Sequence, residues 1–324
     1  MAELSREDVV QARERIAGAV LQTPLVRGEI RGVPVWFKCE NQQTGGAFKL
    51  RGATNRLLQL SPEERARGVV AFSSGNHARG VAIAARRLGM RAIIVMPSDA
   101  PAVKVEGTEQ EGAEILFYDR RTGNREAMAA EIADNSGATV VPSFDDPAIV
   151  AGQGTVGLEI DDQLAAAGRG PARLIVLPCG GGGLSAGTAL ACPDAEVVAV
   201  EPEGWDDMAR SLEKGEIVPV GPDAPPTLCD ALQTPRVSPI TIGILKARKA
   251  RVLAVSDSEI EEAVRFAFEH HGLTVEPGGA AALAAVLAGK VEPVADMVIV
   301  LSGGNVDPAL HARIVGDLKS VLPE

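Results

Sequence analysis

The sequence predicts an α/β protein with a mostly parallel sheet, on three observations. From Val69 onward, short apolar runs recur, each closed by a glycine or polar loop and followed by a helical stretch. The runs lack the apolar–polar alternation of a half-buried strand, which suits strands covered on both faces. Strand and helix in alternation imply right-handed crossovers between parallel strands.

Taken in order, the first element is a helix. Ser5 and Asp8 form an S-x-x-D capping box, and Val9, Ala12, Ile16, Ala19 and Val20 share one face until Thr23-Pro24 stops the helix. Residues 36–39 read as a strand, Gly45-Gly46 as an abrupt loop, and 51–60 as a helix. The strand Val69–Phe72 leads through Ser73-Ser74-Gly75-Asn76 into a helix ending at Leu88-Gly89. Strands at 92–96 and 115–117 precede helices at 102–110 and 124–135. Later strands at 174–177, 197–200 and 297–301 run into Gly180-Gly181-Gly182-Gly183, Glu201-Pro202 and Ser302-Gly303-Gly304-Asn305. Residues 69–142 hold enough strand–helix units for a small sheet of their own. Pro142 and Asp145-Asp146-Pro147 mark a return to a larger one, and 221–226 reads as a surface loop.

Composition narrows the function class. The 324 residues are 46% apolar and 23% charged, with 32 Lys and Arg against 43 Asp and Glu, a net charge of −11. Such a chain repels nucleic acid and anionic membrane, so the expected partner is a small molecule. Cys39, Cys179, Cys192 and Cys229 show no CxxC pairing and the four histidines no HxxxH, so buried free thiols are expected rather than a zinc cluster. The N-terminus is charged, without a secretory signal, and no run approaches the ~20 apolar residues of a membrane span. A cytoplasmic enzyme or binding protein is expected.

Ligands of open parallel sheets sit beyond the carboxyl ends of the strands. Gly180 to Gly183 would expose successive N–H groups before a helix N-terminus, a cradle suited to phosphate. Gly181, Gly183 and Ala186 also satisfy G-x-G-x-x-G/A, with Glu201 near the offset of a ribose-binding acid, so a nicotinamide dehydrogenase fits this window alone. Ser73, Ser74, Gly75, Asn76 and His77 offer hydroxyls, an amide and helix-start N–H groups for a substrate carboxylate, or a plain helix cap. Lys49 lies between Phe48 and Leu50 with glycines on both sides. A partly desolvated lysine has a lowered pKa and can form a Schiff base. A phosphate cradle together with such a lysine points to pyridoxal phosphate.

The segments Ala47-Phe48-Lys49-Leu50-Arg51-Gly52, Ser73 to His77, Gly180 to Leu184 and Ser302 to Asn305 resemble the fold-type II pyridoxal-phosphate enzymes. Within them, the serine racemase and serine/threonine dehydratase family is the best match, over nearly the whole chain. The resemblance implies a tryptophan synthase β-like fold with two open, twisted, mostly parallel sheets flanked by helices. It implies a large domain from 1–67 and 145–324, a small inserted domain from 68–144, and a homodimer. Lys49 would be the Schiff-base lysine and the base at Cα. Phe48 would pack near the ring, Asn76 would bond the ring hydroxyl, and Gly180, Gly181, Gly182, Gly183 and Leu184 would hold the phosphate. Ser302 would face the pyridine nitrogen, and Glu276 opens an E-P-G-G segment resembling the family's E-P-S-G near the cofactor. The implied reaction removes the Cα proton and the β-hydroxyl of serine, threonine or 3-hydroxyaspartate, releasing a 2-oxo acid and ammonia. An amino-acid racemase on the same scaffold is the second reading, with Ser74 as the base on the opposite face.

Glu201, Asp207 and the Trp205 carbonyl resemble the family's loop for a divalent cation, Mg²⁺ or Ca²⁺. Three positions depart from the family: Ala47 and Gly278 replace serines, and Arg79 replaces a glutamine. Arg79 would meet a second substrate carboxylate or lie on the surface, and the surface is the default for arginine. The chain stops before any C-terminal regulatory domain, so feedback inhibition by isoleucine is not expected.

Overall fold

The computed structural model describes residues 4–73, 75–119 and 121–316. Its strands are β1 (Leu25–Ile30), β2 (Val33–Cys39), β3 (Val69–Phe72), β4 (Ala92–Pro97), β5 (Glu114–Tyr118), β6 (Thr139–Val140), β7 (Leu174–Pro178), β8 (Glu196–Pro202), β9 (Arg251–Val255) and β10 (Met297–Leu301). The helices through the first half are α1 (Arg6–Ile16), α2 (Lys49–Leu58), α3 (Pro62–Arg67), α4 (Asn76–Arg87), α5 (Ala102–Glu109), α6 (Arg125–Ser136) and α7 (Pro147–Ala166). Those of the second half are α8 (Gly183–Ala191), α9 (Asp207–Lys214), α10 (Pro239–Ala247), α11 (Asp257–His271), α12 (Pro277–Leu287) and α13 (Pro308–Val315).

The strands form two sheets, in the orders β1-β2-β10-β7-β8-β9 and β5-β4-β3-β6. Every pairing is parallel except β1 with β2, an antiparallel hairpin at one edge. The central strands β4, β7 and β10 are buried at every residue, as two-sided cover requires. On one face of the larger sheet, Val176, Val198 and Ile299 pack with Ala263, Val264 and Leu283 of α11 and α12. On the other, Ile175, Leu177 and Val298 pack with Val156 of α7 and Ala189 of α8. The four-stranded sheet is covered by α4 on one side and by Ala129 of α6 on the other. Leu50, Ala53 and Leu57 of α2 belong to that smaller core, although they precede residue 68.

The first helix ends earlier than its apolar periodicity predicts. α1 stops at Ile16, because the chain turns through Gly18 at φ +74°. Ala19 and Val20 therefore lie beyond the helix. The capping box is present, with the Asp8 carboxylate accepting from the Ser5 N–H at 2.8 Å. All four cysteines are buried and unpaired. Among the described residues, no helix is long and apolar enough to cross a membrane.

A buried ionic cluster fixes α2 against α7 and the end of β2. Arg51, wholly inaccessible, donates to both carboxylate oxygens of Glu40 at 2.8 Å and to Glu159 at 2.6 and 2.8 Å. Lys38 Nζ donates to Glu159 at 2.7 Å, to Gln163 at 2.8 Å and to the Thr23 carbonyl at 2.8 Å. Two cations meet two anions, so no buried charge is left uncompensated.

Candidate active site

Each sheet changes winding direction at its centre. β7 lies between β10 and β8, and β3 lies between β6 and β4. A crevice opens where neighbouring strands send their connections to opposite sides. The loops after β7 and β10 flank one crevice, and the loops after β3 and β6 flank the other. All four loops line a single cleft.

Lys49 opens α2 within this cleft. The Phe48 N–H donates to the Ser302 carbonyl at 3.2 Å, and Ala47 bridges Gly303, which stitches the lysine loop to the end of β10. Lys49 Nζ donates to the Ser143 carbonyl at 3.2 Å and lies 5.1 Å from the centre of the Phe48 ring. Burial lowers its pKa to about 8. Among the described residues no carboxylate pairs with the ammonium, so desolvation decides the shift.

Opposite stands the glycine loop. Gly182 takes φ +85°, the left-handed region that glycine enters without strain. A Cβ at Gly181 would lie 2.2 Å from Phe144 Cδ1, so the loop presents backbone alone to the cleft. Among the described residues, the N–H groups of Gly180, Gly181 and Gly182 find no protein acceptor. The unpaired first-turn donors of α8 follow them. This is an anion cradle by geometry and by dipole.

The third wall is the loop after β3. Ser73 Oγ accepts from the Gly75 N–H at 3.2 Å, and Asn76 and His77 open α4 with free first-turn N–H groups. His77 Nε2 meets the Val141 carbonyl at 2.9 Å, which assigns the proton to that nitrogen. Burial, reinforced by the positive charge of Lys49, pushes His77 down to about 3, so the ring stays neutral. The Asn76 amide is held at both ends: its Nδ2 donates to Glu276, and its Oδ1 accepts from Asn305 at 2.8 Å. Ser302 and Leu184 complete the lining. Ser74 lies outside the described residues.

Thus Phe48, Lys49, Ser73, Gly75, Asn76, His77, the four glycines, Leu184, Glu276 and Ser302 converge on one cleft. Glu201, Trp205 and Asp207 lie apart from it, behind the glycine loop, where Met208 packs against Gly182. Glu201 accepts from the Met208 and Ala209 N–H groups at 2.9 and 3.0 Å, and both oxygens of Asp207 are buried without a hydrogen-bond partner. Burial pushes Asp207 up to about 7 and Glu201 well above the carboxylate range. Among the described residues, no three His, Cys, Asp or Glu side chains converge as a metal cage, and the expected set has two carboxylates and a carbonyl.

Arg79 corrects the surface expectation. It is half-buried, donates to Asn305 at 3.2 Å and faces a small side cavity rather than the main cleft. The cleft contains a different arginine, Arg125, whose guanidinium lies 5.7 Å from the Phe72 ring centre. Sequence reasoning passed over Arg125, Ser143, Phe144 and Asp230. Arg125 carried a signal, because a cation at the first position of a helix opposes the helix dipole.

Residues 16–303 match the family model described as pyridoxal-phosphate dependent enzyme. The chain belongs to that family. This pyridoxal-phosphate-dependent enzyme is 41% identical over 320 residues to an L-threo-3-hydroxyaspartate ammonia-lyase of Pseudomonas sp, covering 96% of this chain and 98% of the relative. It is 40% identical to a serine racemase of Schizosaccharomyces pombe, covering 95% and 96%. The structure of maize serine racemase superposes with a TM-score of 0.89 at 34% identity, covering 99% of both chains. The fold is therefore fold-type II, as the motifs imply.

The residues present fit the cofactor. A donor cradle without protein acceptors faces a desolvated lysine across the cleft, and a polar strand end closes the ring side. The nicotinamide alternative has lost its ribose partner: Glu201 is wholly buried, with both carboxylate oxygens turned to the start of α9.

Proposed function

We propose that this enzyme is an ammonia-lyase acting on a 3-hydroxy dicarboxylic amino acid, 3-hydroxyaspartate, in preference to serine or threonine. The observation that carries the substrate choice is Arg125, a half-buried cation in the cleft that also holds Lys49 and the two helix starts. The ammonia-lyase relative from Pseudomonas supports the same reading.

When bound, pyridoxal phosphate withdraws electrons from the Cα of the amino acid joined to it. The chain supplies the rest. The glycine loop and the start of α8 would hold the phosphate, Phe48 would pack near the ring, and Asn76 would bond its hydroxyl. Ser302 would offer the ring nitrogen a neutral hydroxyl, which would favour rapid loss of a β-group over transamination. Ser73 and the first-turn N–H groups of α4 hold the substrate α-carboxylate, with His77 contributing its backbone rather than a charge. Lys49 Nζ is the group that would hold the cofactor's aldehyde, and its free amine would take the Cα proton. Its lowered pKa keeps it a competent base near neutrality. The β-hydroxyl would leave as water, with a proton equivalent to the one Lys49 takes from Cα, and the released enamine would tautomerise to an imine that water hydrolyses to the 2-oxo acid and ammonia. Arg125 pairs with the distal carboxylate as a planar fork.

The test is 2-oxo acid release from the stereoisomers of serine, threonine and 3-hydroxyaspartate. Arg125→Met is expected to lower kcat/KM for 3-hydroxyaspartate ~10–100-fold, the worth of a charge-assisted pair, and to leave serine turnover within about threefold. Equal losses on both substrates would remove Arg125 from substrate recognition.

A divalent cation belongs to the proposal. Glu201, Asp207 and the Trp205 carbonyl would give it hard oxygen ligands, and both oxygens of buried Asp207 lack a hydrogen-bond partner among the described residues, which leaves them open to such an ion. Mg²⁺ or Ca²⁺ at ~100 times its Kd stabilises by about 2.7 kcal/mol. Asp207→Asn is expected to abolish that rise in Tm, measured with chelator against excess metal. A wild-type melting curve indifferent to metal would refute the site. The two sheets also support a large domain of 1–67 and 145–324 and a small one of 68–144, with α2 contributing its apolar face to the smaller core.

A further inference from the structure

Lys104 occupies an unusual place for a lysine. It lies on α5, beside the four-stranded sheet, and its side chain is only 5% exposed. Its ammonium crosses to the other sheet's side of the molecule, where it donates to Asp230 and lies 3.5 Å from Glu276 Oε2. Glu276 is 2% exposed, and that oxygen accepts no hydrogen bond from any described residue. Its other oxygen receives Asn76 Nδ2. Lys104 is therefore the cation that faces the buried carboxylate on which the Asn76 amide is hung. Arg79 is directed elsewhere, onto Asn305.

We propose that Lys104 is a positioning residue for the cofactor: its charge keeps Glu276 an ionised acceptor, which orients Asn76 toward the cofactor ring hydroxyl. The inference rests on the proposed role of Asn76. A carboxylate buried to this degree takes up a proton unless a cation compensates it. Burial raises the Glu276 carboxyl above its ordinary value, Asp230 adds to the rise, and the charge of Lys104 is the largest influence against it, so without Lys104 the carboxyl would stand higher still. A protonated Glu276 becomes a donor as well as an acceptor, and the Asn76 amide is then free to turn over, offering Oδ1 where Nδ2 stood. Because Lys104 and Glu276 come from opposite sides of the cleft, the same pair ties the two sheets together at the cofactor's edge.

The experiment is reconstitution of the apo chain with pyridoxal phosphate, followed by visible absorption to give a Kd and a band position. Lys104→Met is expected to weaken binding ~10-fold, the middle of the range for coupled neighbours, and to shift the band. Lys104→Arg is expected to restore both. In a Glu276→Gln background, which needs no counter-charge, Lys104→Met should add less than about twofold. The double variant compared with Glu276→Gln alone isolates the effect of Lys104 on an acceptor that needs no cation, so it tests the idea even where Lys104→Met by itself fails to fold. Wild-type binding by Lys104→Met, or a ~10-fold further loss when Lys104→Met is added to Glu276→Gln, would each overturn it. A wild-type chain that forms no visible band with pyridoxal phosphate would refute the cofactor reading itself; a normal wild-type band with an unaltered Lys104→Met refutes this inference alone.

Discussion

Lys49→Ala is expected to lower kcat/KM for elimination by at least ~10³-fold, since in the proposed mechanism one residue would supply both covalent attachment and the Cα base. It should fold normally, because Lys49 makes a single hydrogen bond and no ion pair among the described residues. Borohydride reduction followed by peptide mass analysis should find the cofactor on Lys49 in wild type and nowhere in the variant. The pH dependence follows from the lowered pKa. At pH 7 a group of pKa about 8 is roughly a tenth free amine, whereas a solvated lysine is well under one part in a thousand. Attachment of pyridoxal phosphate to the apo chain should therefore rise through neutrality and level off above pH about 8. The sign for stability is the same. Between the folded value near 8 and the unfolded value near 10.4, the unfolded chain holds more protons, so apo stability from this group grows with pH. Substantial elimination by Lys49→Ala would end the pyridoxal mechanism for this cleft.

Gly181→Ala should be the most damaging single methyl group in the cleft. The added carbon would fall 2.2–2.4 Å from three atoms of the Phe144 ring. Phe144 cannot retreat freely, because the adjacent Ser143 carbonyl receives Lys49 Nζ. Relieving the overlap shifts the phosphate cradle and the lysine anchor together. Overpacking costs about 1–3 kcal/mol, and cofactor affinity is expected to fall ~10–100-fold. Gly180→Ala is the control: its methyl would meet Leu232 Cα at 3.3 Å, a tight contact but no overlap. Fluorescence titration of both apo variants decides the matter, and equal affinities would show that Phe144 yields without moving the lysine wall.

Much of this cleft is legible in the sequence, for a local reason. Fully buried parallel strands appear as uninterrupted apolar runs, and their C-terminal loops must carry the ligand groups, so Ser73, Gly180 and Ser302 are found by position alone. The elements that escape have weak local signals. β1 mixes Arg27, Gly28 and Glu29 into an edge hairpin, and β6 is two residues long. α7 goes unassigned because Gly152, Gly154 and Gly157 break its apolar periodicity, yet they serve close packing; a Cβ at Gly154 would lie 2.6 Å from the Gly187 carbonyl of α8. Arg125 and Lys104 look like ordinary solvated helix charges until tertiary packing sets them in the cleft and behind it. The ionic cluster around Arg51 is the extreme case, since its members come from 23 to 163 in the sequence.

That cluster also constrains how the chain can change over time. Lys38, Glu40, Arg51 and Glu159 are interlocked, so replacing one strands an opposite charge in the interior at about 3–5 kcal/mol. A typical domain has only ~5–15 kcal/mol in reserve. The four positions are thus expected to drift as a set or not at all, each substitution viable only after its partner has altered. Arg51 stands two residues beyond Lys49, so the stretch of helix that carries the lysine inherits this resistance to mutation from a residue that takes no part in the chemistry.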